Sequence, residues 1–205
     1  MPLPPAITLL RTAAWLICGI YATIPAYWII VHGWTRQWRE ARHKLKVLAP
    51  IWMLMWLAAW AVSAPWRSQT LYERPATWMV APLLWAVSAT LYLRGGSELS
   101  LMRVIGRDEL EPARRHPQLI TTGAHALVRH PLYLGHICTM LGLCLATRSS
   151  ACYALFLFAL LSGYWMVKLE ERELSERFGQ AWVAYKATTP CILPRRMGRR
   201  TLPRA

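Results

Sequence analysis

The sequence predicts an all-α protein, an integral membrane helical bundle with five transmembrane helices and a cytoplasmic C-terminal helical segment. Three observations predict it. Apolar residues gather into five runs, about 7–31, 47–64, 76–93, 131–147 and 150–168. Basic residues gather between alternate runs. The 205-residue chain is 55% hydrophobic and 17% charged, whereas a soluble domain carries roughly a quarter of charged residues. Such a chain has too little polar surface to keep five apolar helices in water.

Each run suits a bilayer core of ~30 Å, which needs about 17–25 helical residues. The runs are continuous rather than alternating, which argues against membrane strands. Twelve Trp fit a chain with two interfaces, where indole rings settle. In the first run, Arg11 lies near one end and is expected to snorkel outward. Pro25 and Pro82 fall inside runs one and three and predict kinks. Gly95-Gly96 closes the third run. The first segment has no basic n-region and is too long for an h-region, so no cleavable signal peptide is expected.

Orientation follows from the cations. Twenty of the 24 Lys and Arg lie between runs one and two, between three and four, or from the last residue of run five, Lys168, onward. The alternate loops hold Arg67, Arg74 and Arg148. By the positive-inside rule the N-terminus is outside and the C-terminus cytoplasmic, as in a bacterial inner membrane. The formal net charge of +14 then describes a face that meets anionic headgroups of the lipid bilayer. No nucleic-acid motif accompanies the charge, so no nucleic-acid partner is expected. The five Cys show no CxxC spacing, and no metal site is expected.

The chain therefore reads as one membrane domain over 1–205. Residues 1–93 form a three-helix scaffold, 94–130 a cytoplasmic loop, and 131–195 a helical hairpin with a C-terminal segment. Within the loop, Glu98 to Ile105 suits an amphipathic turn on the membrane surface. Pro131 opens the fourth run at a first helical position, where its missing N–H costs nothing. The short link at Arg148-Ser149-Ser150 forces runs four and five into an antiparallel hairpin. Glu170 to Tyr185 continues as a helical segment with Leu174, Phe178 and Trp182 on one stripe, weakened at Gly179.

That hairpin makes a site. Arg129-His130-Pro131-Leu132-Tyr133-Leu134-Gly135 opens one run and Glu170-Glu171 closes the next, so both clusters return to the same face. Arg129 and His130 supply donors, Tyr133 a hydroxyl and a ring face, and Glu170 and Glu171 anionic acceptors. Ionisable groups at the edge of a membrane bundle are functional candidates by default. Carboxylates beside aromatic rings suit a cationic ligand such as a sulfonium. Each piece also has an ordinary reading when taken singly: Arg129 as a topological flank, Tyr133 as an interfacial anchor, the glutamates as a solvated helix face. A second tripeptide, Arg115-His116-Pro117, lacks the following Tyr and Gly and is assigned to the loop.

Two ordered blocks carry a family resemblance. Thr122-Gly123-Ala124-His125-Ala126-Leu127-Val128 leading into Arg129–Gly135 resembles the isoprenylcysteine carboxyl methyltransferase and phospholipid methyltransferase superfamily. Glu170-Glu171-Arg172-Glu173-Leu174, then Phe178-Gly179, Trp182, Tyr185, Pro190 and Leu193-Pro194, resembles its second block. The resemblance covers roughly residues 80–195. It implies an enzyme that binds S-adenosylmethionine in a membrane-embedded pocket and methylates a lipidic or amphiphilic acceptor. By the same resemblance His125, Arg129, His130, Tyr133, Leu134, Gly135, Glu170 and Glu171 bind the cofactor, while Arg129, His130 and Glu171 serve catalysis. A carboxylate acceptor would need mainly a clamp, for which Arg129 is the candidate. An amine or thiol would need a base, for which His130 or Glu171 is the candidate.

The chain departs from the pattern at Gly123-Ala124-His125, where many members have Gly-Pro-Tyr, and at Trp182, often Tyr. Phe178-Gly179 through Trp182 to Tyr185 also looks like the ending of NADPH-dependent membrane sterol reductases, although His136 stands where those have an acid. A non-catalytic membrane assembly factor is the third reading. The topology is directly testable. A Cys introduced at position 148 should react with a membrane-impermeant maleimide from the outside alone, and labelling from the inside alone would overturn the five-helix arrangement.

Overall fold

In the computed structural model, residues 5–73, 75–96 and 118–194 are described, and among them all regular structure is helical. Helix α1 is Pro5–Gly33, α2 Thr35–Glu40, α3 Lys44–Ser63, α4 Ala81–Gly96, α5 Pro131–Thr147, α6 Ser150–Phe178 and α7 Gln180–Thr188. The surface segment expected at 98–105, the loop that follows it and Arg115-His116-Pro117 lie outside the described residues.

Four stretches are long and apolar enough to cross a membrane: Pro5–Gly33, Lys46–Trp66, Ala76–Gly95 and Ser150–Phe178. Helix α5 is apolar but has 17 residues, about 26 Å at 1.5 Å per residue, slightly less than a ~30 Å core. Helix α6 is the opposite case. Its 29 residues extend about 43 Å, so its last turns leave the apolar layer and carry Glu170, Glu171 and Glu173 with them.

The core forms where α1 packs along α6, with α5 against both. Ala14, Cys18 and Ala22 of α1 meet Met140 and Cys144 of α5 and Ala151, Cys152 and Leu155 of α6. Small residues at these contacts let the backbones approach, which substitutes for a hydrophobic drive that lipid cannot supply. Two glycines hold tryptophans in the same way. A Cβ on Gly19 would lie 2.1 Å from Trp60 Nε1, and one on Gly142 would lie 2.4 Å from Trp85 Nε1.

Three local expectations are revised. Arg11 does not snorkel outward: it is buried, with Nε donating to the Thr147 carbonyl (3.2 Å), Nη1 to the Ser68 carbonyl (3.1 Å) and Nη2 to Thr70 Oγ1 (2.6 Å). The last carbonyls of a helix have no intrahelical donor, and a guanidinium beside the end of α5 satisfies one of them. Pro82 does not kink a helix, because the chain runs through a 3-10 turn at Pro75–Val80 and α4 starts at Ala81. The helix from Glu170 does not continue to Tyr185. It breaks at Gly179, whose φ of 53° and ψ of −125° suit a residue without a Cβ, and Trp182 moves into α7.

The short link between α5 and α6 is as expected. Arg148 takes a left-handed conformation at the end of α5, with φ 55°, and its side chain donates to the Glu73 carbonyl at 2.9 Å. Leu71 N donates to the Arg148 carbonyl at 2.9 Å and Ser150 N to the Gln69 carbonyl at 3.0 Å. Arg11 therefore locks the α5–α6 turn and the loop at 67–71 onto α1. Arg11→Leu should leave two carbonyls without a donor and lower stability by about 3 kcal/mol. Thermal unfolding in detergent checks this, and an unchanged midpoint would show that other contacts hold the loop.

Candidate functional site

At the end of the bundle away from the α5–α6 turn, three segments converge. These are residues 128–130 leading into α5, the last turns of α6, and α7 with residues 189–192. Backbone bonds bring them together: Arg129 N donates to the Pro190 carbonyl (2.8 Å) and His130 N to the Cys191 carbonyl (3.1 Å). The Tyr185 hydroxyl donates to the His125 carbonyl at 2.6 Å. The C-terminal segment is thus laid across the start of α5.

The Arg129 side chain fills the junction. Its Nε donates to Glu171 Oε1 at 2.9 Å, and Nη2 donates to the same oxygen. Nη1 donates to the Lys186 carbonyl (3.3 Å) and to the Thr189 carbonyl. The guanidinium also lies 5.9 Å from the Trp182 ring centroid, within cation–π range. Lys186 Nζ takes the other oxygen of Glu171 at 2.7 Å. Arg129 and Glu171 are almost fully covered, with side chains 8% and 12% exposed. The donors that would clamp a ligand carboxylate are largely engaged by the protein itself.

His130 is buried beside this pair. Its ring stacks on Tyr133, with centroids 5.5 Å apart and planes at 23°. Nδ1 lies 3.4 Å from Glu170 Oε2 and Nε2 3.5 Å from Glu171 Oε1. These are ion-pair separations beyond the normal hydrogen-bond range. Among the described residues, His130 Nε2 and Glu170 Oε2 are buried with no hydrogen-bond partner. Burial opposes a charge on His130, but the carboxylates of Glu170 and Glu171 outweigh it and push its pKa up to about 9. Burial likewise opposes charge on the two glutamates, yet both are held below the ordinary carboxylate range. His130 does this for Glu170, and His130, Lys186 and Arg129 do it for Glu171. At neutral pH the cluster is an imidazolium between two carboxylates, and His130 offers protons rather than takes them.

A third carboxylate was not singled out in the sequence. Glu173 binds His32 Nδ1 at 2.8 Å and Arg39 Nη2 at 2.7 Å, joining α1 and α2 to α6. His32 in turn stacks on Trp28, with centroids 5.2 Å apart. The spacing from Glu170 to Glu173 is one helical turn, and that periodicity was the available clue.

The structure brings together Arg129, His130, Tyr133, Glu170 and Glu171. His125 stands in the 3-10 turn Gly123–Ala126 and contributes its carbonyl to Tyr185. Leu134 closes the first turn of α5, its N–H donating to the His130 carbonyl at 3.2 Å. Gly135 faces α4: its carbonyl accepts from Ser88 Oγ at 2.9 Å, and a Cβ there would lie 3.1 Å from the Tyr92 ring. On the far side of Glu171, a cleft of about 790 Å³ runs between α6 and α7, lined by Tyr164, Val167, Trp182, Val183, Lys186 and Ile192 among others. His130, Glu171 and Cys191 place possible metal-ligand atoms within 4.8 Å of one another. Two cations already engage Glu171, however, and a metal ion would meet their charge.

A family model described as phospholipid methyltransferase matches residues 77–181. The chain belongs to the phospholipid methyltransferase family. That match takes in α4, α5, α6 and the site they carry. The chain is also similar to the cobalt-zinc-cadmium resistance protein CzcN of Cupriavidus metallidurans, at 34% identity over 83 residues, 40% of this chain and 38% of that protein. The aligned stretch spans well under half the length of that relative. No solved structure matches.

The cluster sets a pH signature. Folding raises the pKa of His130, so its stabilisation is complete below about 6.5 and is lost as pH rises through about 9. Folding lowers the pKa of Glu170 and Glu171, so theirs is present above about 4.5 and is lost as pH falls. The thermal midpoint in detergent should be highest between those limits and decline towards pH 9. His130→Asn should flatten the alkaline decline. An equal decline in that variant would place the titrating group elsewhere.

Proposed function

We propose that this family member is an integral-membrane, S-adenosylmethionine-dependent methyltransferase that acts on a lipidic or amphiphilic acceptor at the cytoplasmic side of a bacterial inner membrane. Helix α5 serves as a fifth span, 1–93 as scaffold, and 131–195 as the catalytic part. The observation that carries the reading is the pair of buried polar atoms without hydrogen bonds, His130 Nε2 and Glu170 Oε2, inside the segment that matches the family. A buried polar atom left unpaired costs about 1–3 kcal/mol, and such a cost persists where a ligand supplies the partner.

The donor set fits the cofactor. S-adenosylmethionine supplies a methyl group on a sulfonium, together with an ammonium and a carboxylate. Glu170 offers an anionic acceptor to a cation, and the Tyr133 ring offers its face. His130, held as an imidazolium, donates to an anion. Arg129, Glu171 and Lys186 fix the C-terminal segment over the start of α5 and so hold these groups in place. Methyl transfer is an in-line displacement, which depends on alignment and on the exclusion of water more than on acid chemistry. The amphipathic cleft beside Glu171 supports an acceptor with an apolar tail.

The name of CzcN ties that relative to cobalt, zinc and cadmium. In this chain Arg129 and Lys186 at Glu171 argue against reading the His130–Glu171–Cys191 group as a metal site.

Two substitutions separate binding from scaffolding. Glu170→Gln should weaken S-adenosylmethionine binding by about 10- to 100-fold, the equivalent of ~1–3 kcal/mol, and should lower the thermal midpoint less than Glu171→Gln does, since its ion-pair partner is His130 alone. Glu171→Gln should lower the midpoint as well, because it breaks the contacts of Arg129 and Lys186. Isothermal titration of the detergent-purified protein reads both. Unchanged affinity in folded Glu170→Gln would remove Glu170 from the cofactor site, and no binding by the wild type would sink the reading.

A further inference from the structure

Beyond His130 at its entry, helix α5 carries a histidine inside its apolar run. His136 lies six residues beyond His130, and three phenol rings from three helices surround it. Ring centroids are 4.9 Å away for Tyr21 of α1, 5.5 Å for Tyr92 of α4 and 6.2 Å for Tyr133 of α5. The interplanar angles are 61°, 82° and 55°, so none of the three stacks flat on the imidazole.

The tautomer follows from its hydrogen bond. His136 Nδ1 lies against the Leu132 carbonyl. A carbonyl only accepts, so Nδ1 carries a proton. A neutral imidazole has one N–H, which leaves Nε2 with its lone pair. Among the described residues, Nε2 has no hydrogen-bond partner, and no acid stands among the ring's partners to hold a second proton on it. His130 is the opposite case, placed between two carboxylates. Tyr133 touches both rings. Tyr133 is therefore in ring contact with a charged donor and with a neutral imidazole that keeps a free lone pair. Ionisable residues in membrane helices are functional candidates by default, and this one has the tautomer that a base requires.

We infer that Nε2 of His136 receives the proton of the methyl acceptor, so that the acceptor carries a proton on its nucleophilic atom, as a thiol or an amine does and a carboxylate does not. The inference rests on the methyltransferase reading above. The acceptor's lone pair forms the new bond to the methyl carbon. The carbon–sulfur bond of the sulfonium donor breaks, and sulfur keeps that electron pair as a neutral thioether. The proton released from the acceptor passes to Nε2, giving an imidazolium that later returns it to solvent.

The test uses the full chain in detergent, with S-adenosylmethionine and four probe acceptors. Dodecanethiol and dodecylamine need a base, dodecanoate needs none, and an alkylated thiophenol is already ionised at pH 8. The variants are His136→Asn, whose amide can still donate to the Leu132 carbonyl, and His136→Phe, which keeps a ring in the tyrosine cage. The wild type should methylate dodecanethiol or dodecylamine, and both variants should lose about 100-fold in kcat with S-adenosylmethionine affinity unchanged. The thiophenol should lose far less, a difference that a packing role would not produce. Independently, 15N spectra of histidine-labelled protein, assigned with His136→Asn, should show His136 as the neutral tautomer protonated at Nδ1. Full rates in a folded variant, an equal loss with the thiophenol, or a proton on Nε2 in the ligand-free protein would overturn the inference. A wild type that binds S-adenosylmethionine yet methylates neither dodecanethiol nor dodecylamine overturns it too, while the methyltransferase reading stands. Failure to bind S-adenosylmethionine sinks both.

Discussion

The contact on which the site depends is the covered ion pair of Arg129 with Glu171. Breaking such a pair by removing one partner is costly, because it leaves the other charge buried and alone. Here the pair is satisfied on all sides: Lys186 takes the second carboxylate oxygen, and two backbone carbonyls take Arg129 Nη1. Those carbonyls belong to Lys186 and Thr189, at the end of α7. One guanidinium therefore joins the start of α5, the end of α6 and the C-terminal segment. Arg suits this position where Lys would not, since its planar fork presents several donors in fixed directions.

That constraint follows from helix length. Helix α6 has 29 residues and exceeds a ~30 Å apolar layer by about two turns, so Glu170, Glu171 and Glu173 reach polar surroundings while the same helix stays embedded. Successive residues on it face different neighbours. Glu170 faces His130, Glu171 faces Arg129 and Lys186, and Glu173 faces His32 and Arg39. Three acids within one turn would repel one another in isolation. Each has a cation from a different segment, so the repulsion becomes a device for gathering α1, α2, α5 and α7 around the end of α6.

Much of this was legible in the sequence, for physical reasons. Spans are set by apolar length, and the meeting of Arg129-His130 with Glu170-Glu171 follows from one antiparallel hairpin whose link is too short for anything else. What was not legible depends on long-range partners. Arg11 near a helix end reads as a snorkelling cation, because nothing local reveals that the end of α5 needs a donor beside it. Arg39 reads as one of the orienting cations between runs one and two, since its partner Glu173 lies more than 130 residues away. Gly179 was visible as a weak point, but a break needs a reason for α7 to turn, and that reason is Arg129 reaching the carbonyls of Lys186 and Thr189. Arg129 and Glu171 themselves were found, whereas the degree to which they satisfy each other was not, because hydrogen-bond saturation is a property of geometry.

His130 at the entry to α5 and His136 within it show how depth and neighbours divide one residue type into two kinds of group. At the end of the bundle, carboxylates on α6 hold a proton on His130. Six residues further along α5 the neighbours are phenol rings and a backbone carbonyl, which fix a tautomer without adding charge. A single helix thus presents a proton donor and a lone pair on either side of Tyr133. In a bundle whose interior cannot solvate a free proton, separating those functions along the axis gives each histidine one protonation state. It also removes the need for either to change state before a reaction begins.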